Sequence, residues 1–97
     1  MNHCVFFGKC YDISYTSDNV ERVTLTLQVE NKRKGANDVK KMDYEHLSFE
    51  AWGTAAISIF KNMQHGDYML VIDSTARSEK GRTYFRINEF KIIKKEN

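Results

Sequence analysis

A chain of 97 residues, 41% hydrophobic and 29% charged, suits one folded domain, excludes a disordered chain and leaves little room for a second domain. Its formal charge of +2 hides a block pattern: residues 32–41 carry +4 and residues 77–97 carry +4, against −2 over 1–31 and −4 over 42–76. A modest total can therefore conceal a basic face.

Proline is absent and glycine limited to five, so no linker is visible, and apolar runs are too short to span a bilayer. The start, Met1 to Lys9, lacks the basic opening and long apolar stretch of a signal peptide. The expectation is a single cytoplasmic domain over residues 1–97 with no membrane segment. Cys4 and Cys10 would lie about 20 Å apart on one strand at roughly 3.3 Å per residue, too far for a disulfide. Two reduced thiols suit an intracellular protein.

His3 to Ile13 is rich in Val, Phe, Tyr and Ile and reads as a strand, with Gly8 marking a bulge or bend. Ser14 to Asn19 is polar turn material. Val23, Leu25, Leu27 and Val29 then alternate with Thr24, Thr26, Gln28 and Glu30, the clearest strand signal in the chain. Asn31 to Lys41 reads as a charged loop. In the third strand, Met42 to Trp52, Leu47, Phe49 and Ala51 share the core face, while Tyr44, His46, Ser48, Glu50 and Trp52 share the other. Ala55, Ala56, Ile59, Phe60 and Met63 recur at helical spacing, predicting a helix over Thr54 to Gln64 with Thr54 as its N-cap and Gly66 closing it. Tyr68 to Ala76 and Thr83 to Ile93 are the fourth and fifth strands, around a tight loop from Ser78 to Arg82.

Five strands with one helix between the third and fourth is the element order of the OB-fold, an all-β Greek-key barrel. Such barrels bind oligonucleotides on the face of strands two and three, between the loops that flank it. Two cationic groups fall beside that face: Lys32, Arg33, Lys34, Lys40 and Lys41 in one segment, and Arg77, Lys80, Arg82 and Arg86 in another. Trp52, the only tryptophan, points away from the core by alternation and offers a flat face to any base.

Enzyme signatures are missing. His3, His46 and His65 have no metal-ligand spacing, the cysteines form no CxxC, and there is no phosphate loop or GxSxG. Asp43 and Glu45 are separated from Glu50 by strand face. The expectation is a binding protein with no cofactor and no metal.

Four segments resemble bacterial-type single-stranded DNA-binding proteins: Asn2-His3-Cys4-Val5-Phe6-Phe7-Gly8-Lys9 at the opening, Phe49-Glu50-Ala51-Trp52-Gly53 before the helix, His65-Gly66-Asp67 after it, and Glu79-Lys80-Gly81-Arg82-Thr83-Tyr84 with Asn88-Glu89-Phe90 in the last hairpin. The resemblance implies sequence-tolerant single-stranded DNA binding in replication, recombination or repair by a homo-oligomer, a tetramer or dimer. It places Trp52 at an aromatic stacking position and Tyr44 and His46 near a second. Further family tryptophans are replaced here by cations, so binding leans on charge. The sequence ends at Lys94-Lys95-Glu96-Asn97 without the family's acidic tip, which resembles a short phage or mobile-element form or the primosomal replication-restart paralogue. A dimeric protein-interaction adaptor and an RNA binder stand as alternatives.

Overall fold

A computed structural model of the chain describes residues 4–34 and 40–94, with side chains at 4–30 and 44–94. Its elements are β1 (Phe6–Ser17), β2 (Glu21–Lys34), β3 (Lys40–Trp52), α1 (Gly53–Asn62), β4 (Tyr68–Glu79) and β5 (Arg82–Ile93). The strands close into a barrel in the order β1-β2-β3-β5-β4. All neighbours are antiparallel except β3 and β5, which run parallel through Phe49↔Phe85 and Glu50↔Arg86. This is the five-stranded OB barrel, with its helix between the third and fourth strands.

The core follows the alternation of the middle strands. Val23, Leu25 and Leu27 of β2 are buried with Phe49 and Ala51 of β3, Met69 and Val71 of β4, Ile87 of β5 and Cys10 of β1. Ala56, Ile59 and Met63 close one end from the helix side. Phe6 meets Phe49 edge-on at 5.2 Å and Phe85 at 4.7 Å, joining three strands through aromatic contacts. Burial drives the Cys10 thiol up to about 12, with the charges of Asp67 and Asp12 adding to the effect, so it stays protonated.

Several boundaries differ from the sequence expectation. β2 continues to Lys34 and β3 starts at Lys40, with Lys32↔Met42, Arg33↔Lys41 and Lys34↔Lys40 as backbone partners. Lys32, Arg33, Lys34, Lys40 and Lys41 therefore belong to the arms of a long hairpin and not to a loop; Gly35 and Asn37 lie outside the described residues. Charged residues show no apolar alternation, yet backbone pairing needs no burial, so the ladder runs on beyond the core. β1 likewise extends to Ser17 through the polar stretch expected to turn. The β4–β5 ladder runs to Glu79↔Arg82, leaving only Lys80 and Gly81 as the turn. Both take positive φ, 52° and 77°, the requirement of the tight hairpin turn that matches strand twist.

The bulge of β1 is not at Gly8 but between Tyr11 and Ser14, where Asp12 adopts φ 55°. β1 pairs with β2 from Lys9 to Ser17 and with β4 from Phe6 to Lys9. Trp52, not Thr54, occupies the N-cap of α1, without a side-chain cap hydrogen bond. Phe60 is 54% exposed and stacks on Tyr15 at 4.2 Å instead of entering the core. His65 meets Tyr11 edge-on at 4.8 Å. Cys4 and Cys10 are free thiols. Among the described residues no helix is long and apolar enough to cross a membrane, and no group of three His, Cys, Asp or Glu is placed to hold a metal ion.

Candidate nucleic-acid interface

The site begins with the parity of β2 and β3. Because odd residues from Val23 to Leu27 and from Phe49 to Ala51 face the core, the even ones face outward. Antiparallel register sets Arg22 opposite Trp52, Thr24 opposite Glu50, Thr26 opposite Ser48, Gln28 opposite His46 and Glu30 opposite Tyr44. The short β3–β5 ladder then brings Arg86 beside Glu50. Beyond that short ladder, Glu79 to Tyr84 of the β4–β5 hairpin border the same groove as the outer residues of β2 and β3.

The result is an open groove of about 570 Å³. It is lined by the outward residues Arg22, Thr24, Thr26, Ser48 and Glu50 of β2 and β3, by Glu79, Lys80, Arg82, Thr83 and Tyr84 of the β4–β5 hairpin, and by Asp12 of β1. The hydroxyls with Lys80 and Arg82 suit a phosphodiester backbone and the tyrosine a base, while Asp12, Glu50 and Glu79 match the lining's three cations in number.

At one end stands a cluster centred on Glu50. This carboxylate is on the outer face yet only 3% exposed. Its Oε1 accepts the Trp52 indole N–H at 2.9 Å, Arg86 Nε at 3.2 Å and an Arg86 terminal nitrogen at 2.9 Å. Its Oε2 pairs with Arg22 at 3.2 Å. Burial alone would raise the carboxyl, but the bonds from Trp52 and Arg86 and the charges of Arg86 and Arg22 outweigh it and hold it below the ordinary carboxylate value. Both guanidinium carbons lie 5.4 Å from the centroid of the Trp52 ring, reaching it from the strands on either side. Trp52 itself is 37% exposed.

Among the residues singled out from sequence, the structure brings together Trp52 and Arg86 at the Glu50 cluster, just outside the groove lining, and places Lys80 and Arg82 in that lining. Tyr44 and His46 are exposed on the same outer face, but Tyr44 is eight residues from Trp52, roughly 26 Å along the strand. Arg77 is exposed opposite Tyr84 and lies outside the groove lining. Lys32, Arg33, Lys34, Lys40 and Lys41 extend the same two strands beyond Tyr44, their side chains outside those described. Sequence reasoning missed Arg22, Glu50 and Tyr84. Arg22 was available in principle, since the alternation ending at Val23 turns it outward.

No sequence-family model matches the chain, and no curated protein matches it by sequence. Solved structures do. A deletion mutant of the single-stranded DNA-binding protein from Thermus aquaticus superposes with TM-score 0.78 at 11% identity, covering 97% of this chain and 51% of that one. This chain therefore spans about half the length of that protein. PriB from Ralstonia solanacearum matches with TM-score 0.70 at 14% identity, covering 94% and 96%. The Plasmodium falciparum single-stranded DNA-binding protein, solved with its DNA, matches with TM-score 0.64 at 13% identity, covering 99% and 96%. What this chain shares with all three, at such low identities, is architecture alone: the five-stranded OB-fold barrel.

Proposed function

We propose that this domain binds single-stranded DNA with little sequence preference, as a non-enzymatic cytoplasmic protein acting in replication, recombination or repair. The observation that carries the reading is the groove on the β2–β3 face, lined by Arg22, Lys80 and Arg82 among others, with Trp52 and Arg86 joined to it through Glu50. Stacking surfaces tolerate any base, and cations track the backbone, which together give affinity without base readout. The DNA-binding neighbours of the same fold support it. Trp52, Arg86, Lys80 and Arg82 are the proposed central contacts, and Tyr44, His46, Arg77 and the cationic hairpin arms carry a strand onward from them.

The domain acts in this reading as a homo-oligomer. Val5, Phe7 and Ile72 are 67%, 48% and 40% exposed. Register puts Phe7 opposite Leu70, so these residues share the outer face of the β1–β4 ladder with Tyr68, whose ring stacks on Phe7 at 5.3 Å. An apolar face on so small a domain is best covered by a second copy. The same face favours a second reading, a dimeric adaptor in replication restart, with PriB among the neighbours of the same fold.

Titration of Trp52 fluorescence with oligo-dT, oligo-rU and duplex DNA decides among these. Quenching by oligo-dT well ahead of the others is the expected result. Equal response to oligo-rU makes the site an RNA binder as well, and no response to any nucleic acid leaves the adaptor.

A further inference from the structure

We propose that Glu50 is a positioning residue that ties up the charge of Arg22 and Arg86, so that this end of the groove is a stacking platform for a nucleobase and not a phosphate subsite. The inference rests on the single-strand-binding reading above and adds a division of labour within it. Three strands each contribute one arm of the cluster, Arg22 from β2, Trp52 from β3 and Arg86 from β5. All three arms hydrogen-bond or pair with one buried carboxylate.

The geometry sets what each group can still do. Arg86 turns an edge of its guanidinium, Nε and a terminal nitrogen, onto Glu50 Oε1. That edge is one of the two on which a guanidinium can grip a phosphate bidentately. Arg22 gives Oε2 a terminal nitrogen. A phosphate at that edge of Arg86 would have to displace a carboxylate already held in place, and the cluster's formal charge is +1 where two unpaired arginines would give +2. The guanidiniums keep their other use: each lies over the indole ring at 5.4 Å, and its plane is itself a flat cationic surface on which a base can lie. Fixed in advance by Glu50, indole and guanidiniums lose little side-chain freedom on binding. Phosphate neutralisation then falls to the cations away from this cluster, Lys80 and Arg82 among them.

The test uses the intact chain, Glu50→Gln and Arg22→Ala, with two readouts. The first is quenching of the single tryptophan by iodide and by acrylamide at constant ionic strength without DNA. Glu50→Gln is expected to raise the iodide-to-acrylamide quenching ratio, because uncovering the arginines attracts an anion and leaves a neutral quencher indifferent. The second is the salt dependence of oligo-dT binding. Glu50→Gln is expected to steepen the log–log slope by about 0.7 to 1.4, one or two added phosphate contacts. Arg22→Ala, on an exposed side chain, is expected to weaken binding about two- to fivefold with the slope unchanged. It decides the matter even if Glu50→Gln fails to fold. A slope flattened by about 0.7 in Arg22→Ala makes Arg22 a phosphate contact and overturns the proposal. So do an unchanged slope and quenching ratio in folded Glu50→Gln. Wild-type protein that binds no oligo-dT removes the single-strand reading and this one together, a result distinct from binding with the wrong slopes.

Discussion

The carbonyl oxygen of Gln28 lies 2.7 Å from where a Cβ on Gly8 would stand. At that point β1 leaves β2, its last partner there being Lys9↔Gln28, and crosses to pair with β4. The barrel closes through this crossing, and backbone meets backbone with no room for a side chain. The obstructing atom belongs to a paired strand, so it cannot swing aside. Gly8→Ala is expected to destabilise the fold by about 1–3 kcal/mol, read as a lower urea midpoint at an unchanged denaturant slope. A midpoint within error of wild type would show that the crossing adjusts freely.

Glu50 should make stability depend on acid. Its folded-state carboxyl sits below the reference value of 4.5, because the bonds from Trp52 and Arg86 and the nearby arginine charges overcome the cost of burial. The folded chain thus takes up that proton less readily than the unfolded one. The stabilisation is complete above 4.5 and is lost as pH falls through the lower folded value. Glu50→Gln has no such titration. At neutral pH it should be less stable by about 1–2 kcal/mol, toward the low end for hydrogen bonds to a charge because the guanidiniums remain partly in water. That deficit should shrink as pH falls below 4.5, measured as paired urea midpoints. A deficit constant from neutral to acid would mean that the charge of Glu50 contributes nothing.

The cationic arms of the β2–β3 hairpin should govern the salt dependence. With roughly five contacts, from Lys32, Arg33, Lys34, Lys80 and Arg82, the log–log slope for oligo-dT should be about −3 to −4. Replacing Lys32, Arg33 and Lys34 together by alanine should flatten it by about 2 without changing the melting temperature. An unchanged slope would assign those residues to solvent.

Much of this was legible in sequence because the middle strands alternate cleanly. Val23, Leu25 and Leu27, then Phe49 and Ala51, fixed both faces of β2 and β3, and with them the outward direction of Trp52. The hairpin arms were hidden because Lys32 to Lys34 and Lys40 to Lys41 carry no apolar period, though their backbones pair. The bulge at Asp12 was hidden because positive φ in a non-glycine residue leaves no pattern, while Gly8, which looked like the bulge, answers to a neighbour 20 residues away. Glu50 looked like a surface acid. Its burial depends on partners from β2, β3 and β5, and only the register Arg22↔Trp52 and Glu50↔Arg86 reveals them.

The exposed apolar face of β1 and β4 should hold copies of the chain together. Phe7 and Ile72 present large side chains to solvent beside Tyr68, and their removal takes nothing from the buried core. The 11.4 kDa chain should sediment as a dimer or larger at micromolar concentration. Phe7→Asp should shift it to the monomer while its circular dichroism is retained, since a buried unpaired carboxylate at an interface is costly. A wild-type chain that sediments only as monomer would leave that face unexplained and the oligomer reading without support.

Trp52→Ala should separate binding from folding. The indole lies on the outer face of β3: Phe49 and Ala51 face inward, and Trp52 leans on Glu50, Arg22 and Arg86. Losing it removes one hydrogen bond from a carboxylate that keeps both arginines, so the melting temperature should fall by only a few degrees, on the order of 1 kcal/mol. The loss to single-strand binding should be larger, about 1–3 kcal/mol for one stacked base. Trp52→Phe should recover most of the binding, because a phenyl ring still stacks, but not the bond to Glu50. That pairing distinguishes the two roles of the indole: affinity that follows the ring belongs to stacking, and stability that follows the N–H belongs to the cluster. A sharp fall in melting temperature with affinity per folded molecule intact would make Trp52 a structural cap on α1, and the single-strand path would then have to run along Tyr44, His46 and the hairpin arms without it.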